Sequence, residues 1–301
     1  MKRLLLFAVA VTTIAITTAQ ELNVASYNIR QHNKKDYKSG NGWTQRVDAL
    51  CDLIRYNDFD IFGAQEVCHD QLQDMLSRLP KYDYVGVGRD DGATKGEYSP
   101  VFYDKERFTL LDSGTFWLSE TPDKVSFGWD AACRRVCSWG YFRDKESRKK
   151  IWFFNVHMDH KGKVARREGA RLIAERINRM CDPQKERVIL TGDFNVPQGS
   201  EPYEVLAESL RDTYEVAEVR FAPTGTFNGF KPANHTTKRI DHIFISRPLH
   251  AERYGILTYH FWSEAVGEAS SLNDAPKEIS AESRTQRLQS DHYPVQVLLE
   301  L

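Results

Sequence analysis

Short apolar runs and helical stripes alternate along the first half of the chain, and strands dominate locally after it. Residues 22–29 read as a strand that ends on polar side chains. Val47, Leu50, Cys51 and Ile54 recur at i, i+3, i+4 and i+7, the stripe of an amphipathic helix. Residues 60–64 predict a short strand ending at Gln65-Glu66. Leu72, Met75, Leu76 and Leu79 mark a second helix, closed by Pro80. Residues 82–87 alternate as a strand, and 100–103, 108–111, 136–142 and 151–156 predict four more. Ala170, Ile173, Ala174 and Ile177 predict a long helix over about 164–180. Strands over 187–190, 240–245 and 295–299 complete the set. Two stretches read as long loops, 227–238 (Gly, Pro, Asn and Thr) and 268–290 (polar with few apolar anchors).

The first residues stand apart from this pattern. Lys2 and Arg3 precede an apolar run over 4–16, and Thr17-Thr18-Ala19 supplies small residues before Gln20. This predicts a secretory signal peptide over 1–19 and a periplasmic or extracellular domain over 20–301. A membrane anchor fits less well, because a span needs roughly 20 apolar residues. The body has a globular balance, 41% hydrophobic and 28% charged, and its length suits one large α/β domain. Net charge is −1, or −3 without Lys2 and Arg3, so no strong overall field draws the protein to nucleic acid or an anionic membrane. Five cysteines cannot all pair within one chain. Cys133 and Cys137 could bridge across a turn, whereas Cys51 and Cys181 read as buried small hydrophobes.

Candidate chemistry sits where the apolar strands stop. Val24-Ala25-Ser26-Tyr27 leads to Asn28, and Ile61-Phe62-Gly63-Ala64-Gln65 to Glu66. Phe153-Phe154-Asn155-Val156 leads to His157, and Val188-Ile189-Leu190-Thr191-Gly192 to Asp193 and Asn195. Arg239-Ile240 precedes Asp241, and Ser290 precedes Asp291 and His292 just before the last strand. Ends of adjacent strands converge, so such residues can share one cleft. Carboxylate and amide oxygens suit Mg²⁺ or Mn²⁺, a bound cation offsets phosphate charge, and histidines exchange protons near neutrality. The set therefore suits phosphoester hydrolysis. Any one of these residues alone has an ordinary explanation as a turn, cap or structural side chain.

Ser26-Tyr27-Asn28, Gln65-Glu66-Val67, Asn155-Val156-His157, Gly192-Asp193-Phe194-Asn195, Arg239-Ile240-Asp241 and Ser290-Asp291-His292, in this order, resemble the endonuclease/exonuclease/phosphatase family. Gly114-Thr115-Phe116-Trp117-Leu118-Ser119 and Trp129-Asp130-Ala131-Ala132 narrow the resemblance to a secreted bacterial branch similar to nocturnin-type deadenylases. The resemblance implies a four-layer α/β sandwich with two packed mixed β-sheets flanked by helices. It implies Glu66 as the principal metal ligand, with Asn28 and Asp291 nearby. Asp193 and Asn195 would orient the nucleophile and a phosphate oxygen. His292, oriented by Asp241, would activate water or stabilise the transition state. His157 would contact the scissile phosphate, with Glu97 as its carboxylate partner.

Weaker candidates border that set. Arg135 could clamp a phosphate and Tyr98 line its site, against surface salt-bridge and strand-packing alternatives. Asn228, Phe230 and His235 lie in the 227–238 loop as substrate candidates, His160 reads as a supporting residue, and the basic stretch 143–150 as a hairpin turn. The expected substrate is a small or single-stranded phosphate ester. A nuclease acting on DNA or RNA and a catalytically silent phospho-ligand binder are the alternatives, and an interaction protein built on the six Trp ranks last. No apolar hairpin suggests stable membrane insertion.

Overall fold

The structure, a computed structural model, describes residues 20–301, so the leader expected over 1–19 lies outside the described residues. In chain order, β1 is Glu21–Asn28, α1 Trp43–Asn57, β2 Ile61–Gln65, α2 His69–Arg78, β3 Tyr82–Val85, β4 Val101–Asp104 and β5 Phe108–Trp117. There follow β6 Val136–Asp144, β7 Lys150–His157, α3 Lys163–Met180, β8 Arg187–Asp193, α4 Glu201–Ala207, β9 Arg211–Asp212, α5 Thr213–Val216 and β10 Val219–Phe221. The last are β11 Asp241–Ile245, β12 His250–Ile256, β13 Phe261–Ala265, β14 Ser270–Ser271, β15 Ser280–Ala281, β16 Arg284–Arg287 and β17 Val295–Glu300.

Two large mixed sheets face each other. One runs β10-β12-β17-β1-β2-β4-β3, the other β5-β6-β7-β8-β11-β9. Strand parity divides the core into layers. Leu22 and Val24 of β1 meet Phe153, Ile189 and Ile243 of the opposite sheet in the central layer. Ala25 and Tyr27 face outward onto Val47, Leu50 and Ile54 of α1 and Leu72 and Met75 of α2. Phe154 and Leu190 face outward onto Ala170, Ile173 and Ile177 of α3. Both strand faces are therefore buried, which is why these strands appear in the sequence as near-continuous apolar runs. The four-layer sandwich is the arrangement expected.

Polar atoms cross the central layer next to the strand ends. Asn155 of β7 donates to the carbonyls of Ala64 (2.7 Å) and Pro100 (2.9 Å). It accepts from Gln65 Nε2 (2.7 Å) and Thr191 Oγ1 (3.0 Å). A Cβ on Gly63 would lie 2.2 Å from both Asn155 Oδ1 and Thr191 Oγ1, so only glycine permits this approach.

Besides α4, β9, α5 and β10, which had no expected counterpart, three stretches differ from expectation. β5 runs on to Trp117, because its middle residues lie exposed on an edge strand where the ladder continues without an apolar signal. β12 was not legible, since a bulge between Ala251 and Arg253 breaks its alternation. The 268–290 stretch carries the short ribbons β14–β15 and part of β13–β16. All five cysteines are free, so Cys133 and Cys137 form no bridge, Cys137 being buried on β6. Cys51 and Cys181 are buried, and the basic stretch 143–150 turns the β6–β7 hairpin, as expected.

Candidate active site

The strand-end residues gather at one end of the sandwich. Asn28 pairs with Gln65 across β1 and β2, immediately before Glu66. His157 pairs with Asp193 across β7 and β8, and Asp193 with Asp241 across β8 and β11. Residues from both sheets thus enter a cleft of about 580 Å³ lined by Arg30, Glu66, Glu97, Arg135, His157, Asp193, Asn195, Asp291 and His292, among others. Glu66 (φ 62°), Asn195 (φ 51°) and Arg30 (φ 58°) all adopt the left-handed region. Such non-glycine conformations cost on the order of 1–3 kcal/mol each and cluster at functional sites. Here they turn the chain sharply as it leaves the sheet.

Hydrogen bonds fix most of these groups. Asn28 Nδ2 donates to Asp193 Oδ2 (3.0 Å) and Glu66 Oε1 (3.2 Å), and its Oδ1 accepts from the Arg30 amide. Its nitrogen, not its oxygen, therefore faces the carboxylates. Glu66 Oε2 accepts from the Gln31 amide (3.0 Å). His292 Nδ1 meets Asp241 Oδ2 at 2.8 Å, while its Nε2 lies 3.8 Å from Asp193 Oδ2. Asn195 Nδ2 donates to His157 Nε2 (3.1 Å) and to the Met158 carbonyl (3.0 Å), so the His157 proton resides on Nδ1. Asn195 thereby orients His157.

The buried charges set the protonation of the histidines apart. Burial opposes the charge on His292, but Asp241 and Asp193 outweigh it and hold its pKa well above the usual value. Burial, reinforced by Arg135 and Arg89, holds His157 well below the usual value, in the neutral form. Burial and the neighbouring Asp241 push Asp193 up to about 7, with His292 opposing. Burial also raises Asp291, against His292. Burial alone would raise Glu66, but the Gln31 amide, His292, Asn28 and Arg30 hold it below the usual range.

Not every anticipated residue reaches the cleft. Tyr98 is buried in the layer under α2, its hydroxyl 3.0 Å from His69 Nδ1. Asn228 is buried, and its Oδ1 accepts from the Phe230 amide within its own turn. Phe230 packs over Arg46, and His235 lines an adjoining groove with Phe227 and Ile240. Glu97 does line the cleft, but Arg89 grips both of its oxygens (2.7 and 2.9 Å), leaving His157 Nδ1 at 3.8 Å. Arg135 is a buried wall residue held by Asp159 (3.4 Å) and His160 (3.0 Å). Arg30, Arg89 and Phe227 line the cleft without having been anticipated. Arg30 stands 3.7 Å from Asp291 and 4.0 Å from Glu66. Phe227 packs edge-on to His292 with ring centres 5.1 Å apart. Neither arginine carries a sequence signal, since each role arises from tertiary pairing.

Two mixed sheets between helices, with acidic, amide and histidine side chains converging at their ends, define the class. The chain belongs to the Endonuclease/Exonuclease/phosphatase family, which it matches over residues 25–292. This is a family of phosphoesterases and nucleases. Among solved structures, the chain is 45% identical to Bacteroides thetaiotaomicron mannosyl-6-phosphatase, covering 93% of this chain and all of that one, with a TM-score of 0.85. It is 44% identical to a B. thetaiotaomicron endonuclease/exonuclease/phosphatase family protein, covering 94% of this chain and 98% of that one, also at 0.85. The human Nocturnin catalytic domain shares the fold at 19% identity and a TM-score of 0.65, over 93% of this chain and 94% of that one.

Proposed function

We propose that this protein is a divalent-metal-dependent phosphatase acting on small phosphate monoesters, with sugar phosphates the leading class. The observation that carries the reading is the meeting of Asp193, His157 and His292 in one cleft, with Asp241 behind His292. Asp193 Oδ2 lies 3.5 Å from His157 Nε2 and 3.8 Å from His292 Nε2. That oxygen is placed to take the proton of an attacking water. His292, fixed through Nδ1 by Asp241, presents Nε2 to a phosphoryl oxygen.

The donor set also fits a hard cation. Glu66, Asp193 and Asp291 are carboxylates lining the cleft and Asp241 backs them against His292, with Arg30 and His292 the nearby cations. Asp241 Oδ1 is buried without a partner. Asp193, Asp241 and His292 bring ligand atoms within 4.8 Å of one another. Glu66 and Asp291, with Asn28 holding Glu66 in place, would hold Mg²⁺ or Mn²⁺, oxygen-seeking ions. When bound, the ion supplies positive charge that offsets the phosphate and polarises its ester bond.

Three features favour a small substrate over nucleic acid. The cleft volume is that of a small-molecule site. Net charge is −1, without the basic excess that extended phosphate contacts require. The similarity to a mannosyl-6-phosphatase spans nearly the whole chain. No helix among the described residues is long and apolar enough to cross a membrane. The secretory leader and the periplasmic or extracellular location form part of this proposal. The test is a substrate panel with hexose 6-phosphates, a phosphodiester and single-stranded oligonucleotides, assayed with Mg²⁺, Mn²⁺ or EDTA. Monoester hydrolysis lost in EDTA and restored by metal supports the reading; preferential oligonucleotide cleavage, or full activity in EDTA, refutes it.

A further inference from the structure

The cleft does not end at His292. Phe227 and Ile240 line both it and an adjoining groove of about 300 Å³, whose other walls are Asn234, His235, Thr236 and Lys238. The two spaces therefore meet along an apolar edge next to the imidazole that faces the phosphoryl oxygen. None of the described residues lining the groove is acidic.

Phe227 stands at the junction. It is 48% exposed, although its segment is tied down on both sides. Its backbone bridges to His292, and the Thr226 carbonyl accepts from the Tyr293 amide (2.7 Å). The Asp291 carbonyl accepts from the Asn228 (2.8 Å) and Gly229 (3.0 Å) amides. Thr226 Oγ1 accepts from the amides of Ile240 (3.0 Å) and Asp241 (3.2 Å). The segment is thus fastened to the stretches that carry Asp241, Asp291 and His292. The Phe227 ring stands at 71° to the imidazole. A fixed aromatic side chain, half open at the mouth of a groove, is a preformed surface, so a ligand that covers it orders no loose backbone.

The groove has two kinds of wall. Phe227 and Ile240 offer apolar surface, whereas Asn234, His235, Thr236 and Lys238 offer hydrogen-bonding groups. A polyhydroxylated ring is built to match, with C–H groups on its faces and hydroxyls around its rim. A short alkyl alcohol reaches neither wall.

We propose that this groove receives the alcohol portion of the substrate, a sugar ring lying against Phe227 with its hydroxyls toward His235 and Lys238. Phe227 is then a specificity determinant for the ester. The proposal rests on the phosphatase reading and names the part of the substrate recognised beyond the phosphate.

The test compares mannose 6-phosphate with methyl phosphate, which carries no ring, in wild type, Phe227→Leu and Phe227→Tyr, each first checked for cooperative melting. Leucine keeps an apolar side chain against His292 and removes the flat face, and tyrosine restores it. The expected result in Phe227→Leu is a fall of about five- to tenfold in the ratio of kcat/KM values, the scale of one lost aromatic contact, with the ratio regained in Phe227→Tyr. A ratio that moves less than about threefold in Phe227→Leu, or is not regained in Phe227→Tyr, overturns the proposal. Equal losses on both esters fall under that outcome, because the ring then serves His292 and not the alcohol. If neither ester is cleaved, the phosphatase reading fails and saturation-transfer NMR in EDTA decides on the groove alone. Transfer to free D-mannose that at least halves in Phe227→Leu supports the proposal. No transfer, transfer unaffected by the substitution, or stronger transfer to the base of AMP than to mannose overturns it, the last assigning the platform to a nucleobase.

Discussion

Replacing Asn155 with alanine tests whether the two sheets are locked together at the site by polar contacts. The side chain makes four hydrogen bonds, two as donor to Ala64 and Pro100 and two as acceptor from Gln65 and Thr191, and it is fully buried. Gln65 Nε2 keeps Ser26 Oγ (3.2 Å) and Thr191 Oγ1 keeps the Phe154 carbonyl (3.3 Å), so those two are only partly stranded. The Ala64 carbonyl loses a donor in the dry central layer, and the Pro100 carbonyl keeps only the Ala64 amide (3.0 Å). At about 1–3 kcal/mol for a buried group left unsatisfied, and less for the three that keep a partner, the substitution costs about 2–4 kcal/mol. At about 2–4 °C per kcal/mol for a large domain, the melting temperature falls by roughly 4–16 °C. Urea unfolding gives the free energy and calorimetry the temperature. A loss below about 1 kcal/mol would refute the claim that this network joins the sheets, leaving apolar packing to do so.

Further outcomes follow from other contacts. Arg46 is buried and donates to the carbonyls of Ile29, Arg30, Asn41 and Gln289, joining the segment after Asn28 to the one before Asp291. Arg46→Met should lower stability by about 2–4 kcal/mol and cut kcat more than tenfold at a temperature where the variant is folded; unchanged kcat in urea-checked folded protein contradicts the tie. Glu66 sits at φ 62°, so in EDTA Glu66→Gly should be more stable than Glu66→Ala by about 1 kcal/mol by urea titration, and equal stabilities would remove the strain. Burial would raise the Asp212 carboxyl, but His242 and Arg239 outweigh it and hold the pKa at about 2. A carboxyl held below its unfolded value of about 4 stabilises the fold above that pH, and the contribution fades as pH falls from about 4 toward 2. Unfolding free energy should therefore drop more steeply across that window in wild type than in Asp212→Asn, and parallel pH profiles would contradict the assignment.

Most of the architecture was readable because strands buried on both faces, such as β1, β7 and β8, leave uninterrupted apolar runs, and a polar residue directly after such a run marks its exit. β12 escaped because its bulge shifts the register that alternation depends on. The site residues on strand ends were placed by topology, and topology follows from those same runs. Glu97 shows where reading stops. A carboxylate near a histidine suggests a pair, but the two-pronged contact with Arg89 is the stronger geometry, and nothing in Arg89's neighbours along the chain announces it. Tyr98 likewise reads equally well as lining or packing, and its pairing with Val67 turns it into the core.

The central claim is that the gathered side chains form a working phosphoester-cleaving centre around His292. The direct measurement is kcat of His292→Asn on a phosphate monoester at saturating Mg²⁺ or Mn²⁺, with circular dichroism showing an intact fold. Loss of the group that faces the phosphoryl oxygen predicts a fall of about 10²–10⁴-fold. A folded variant retaining kcat within about threefold of wild type would contradict the account, because the His292 ring, held by Asp241, is the group placed to face the phosphoryl oxygen.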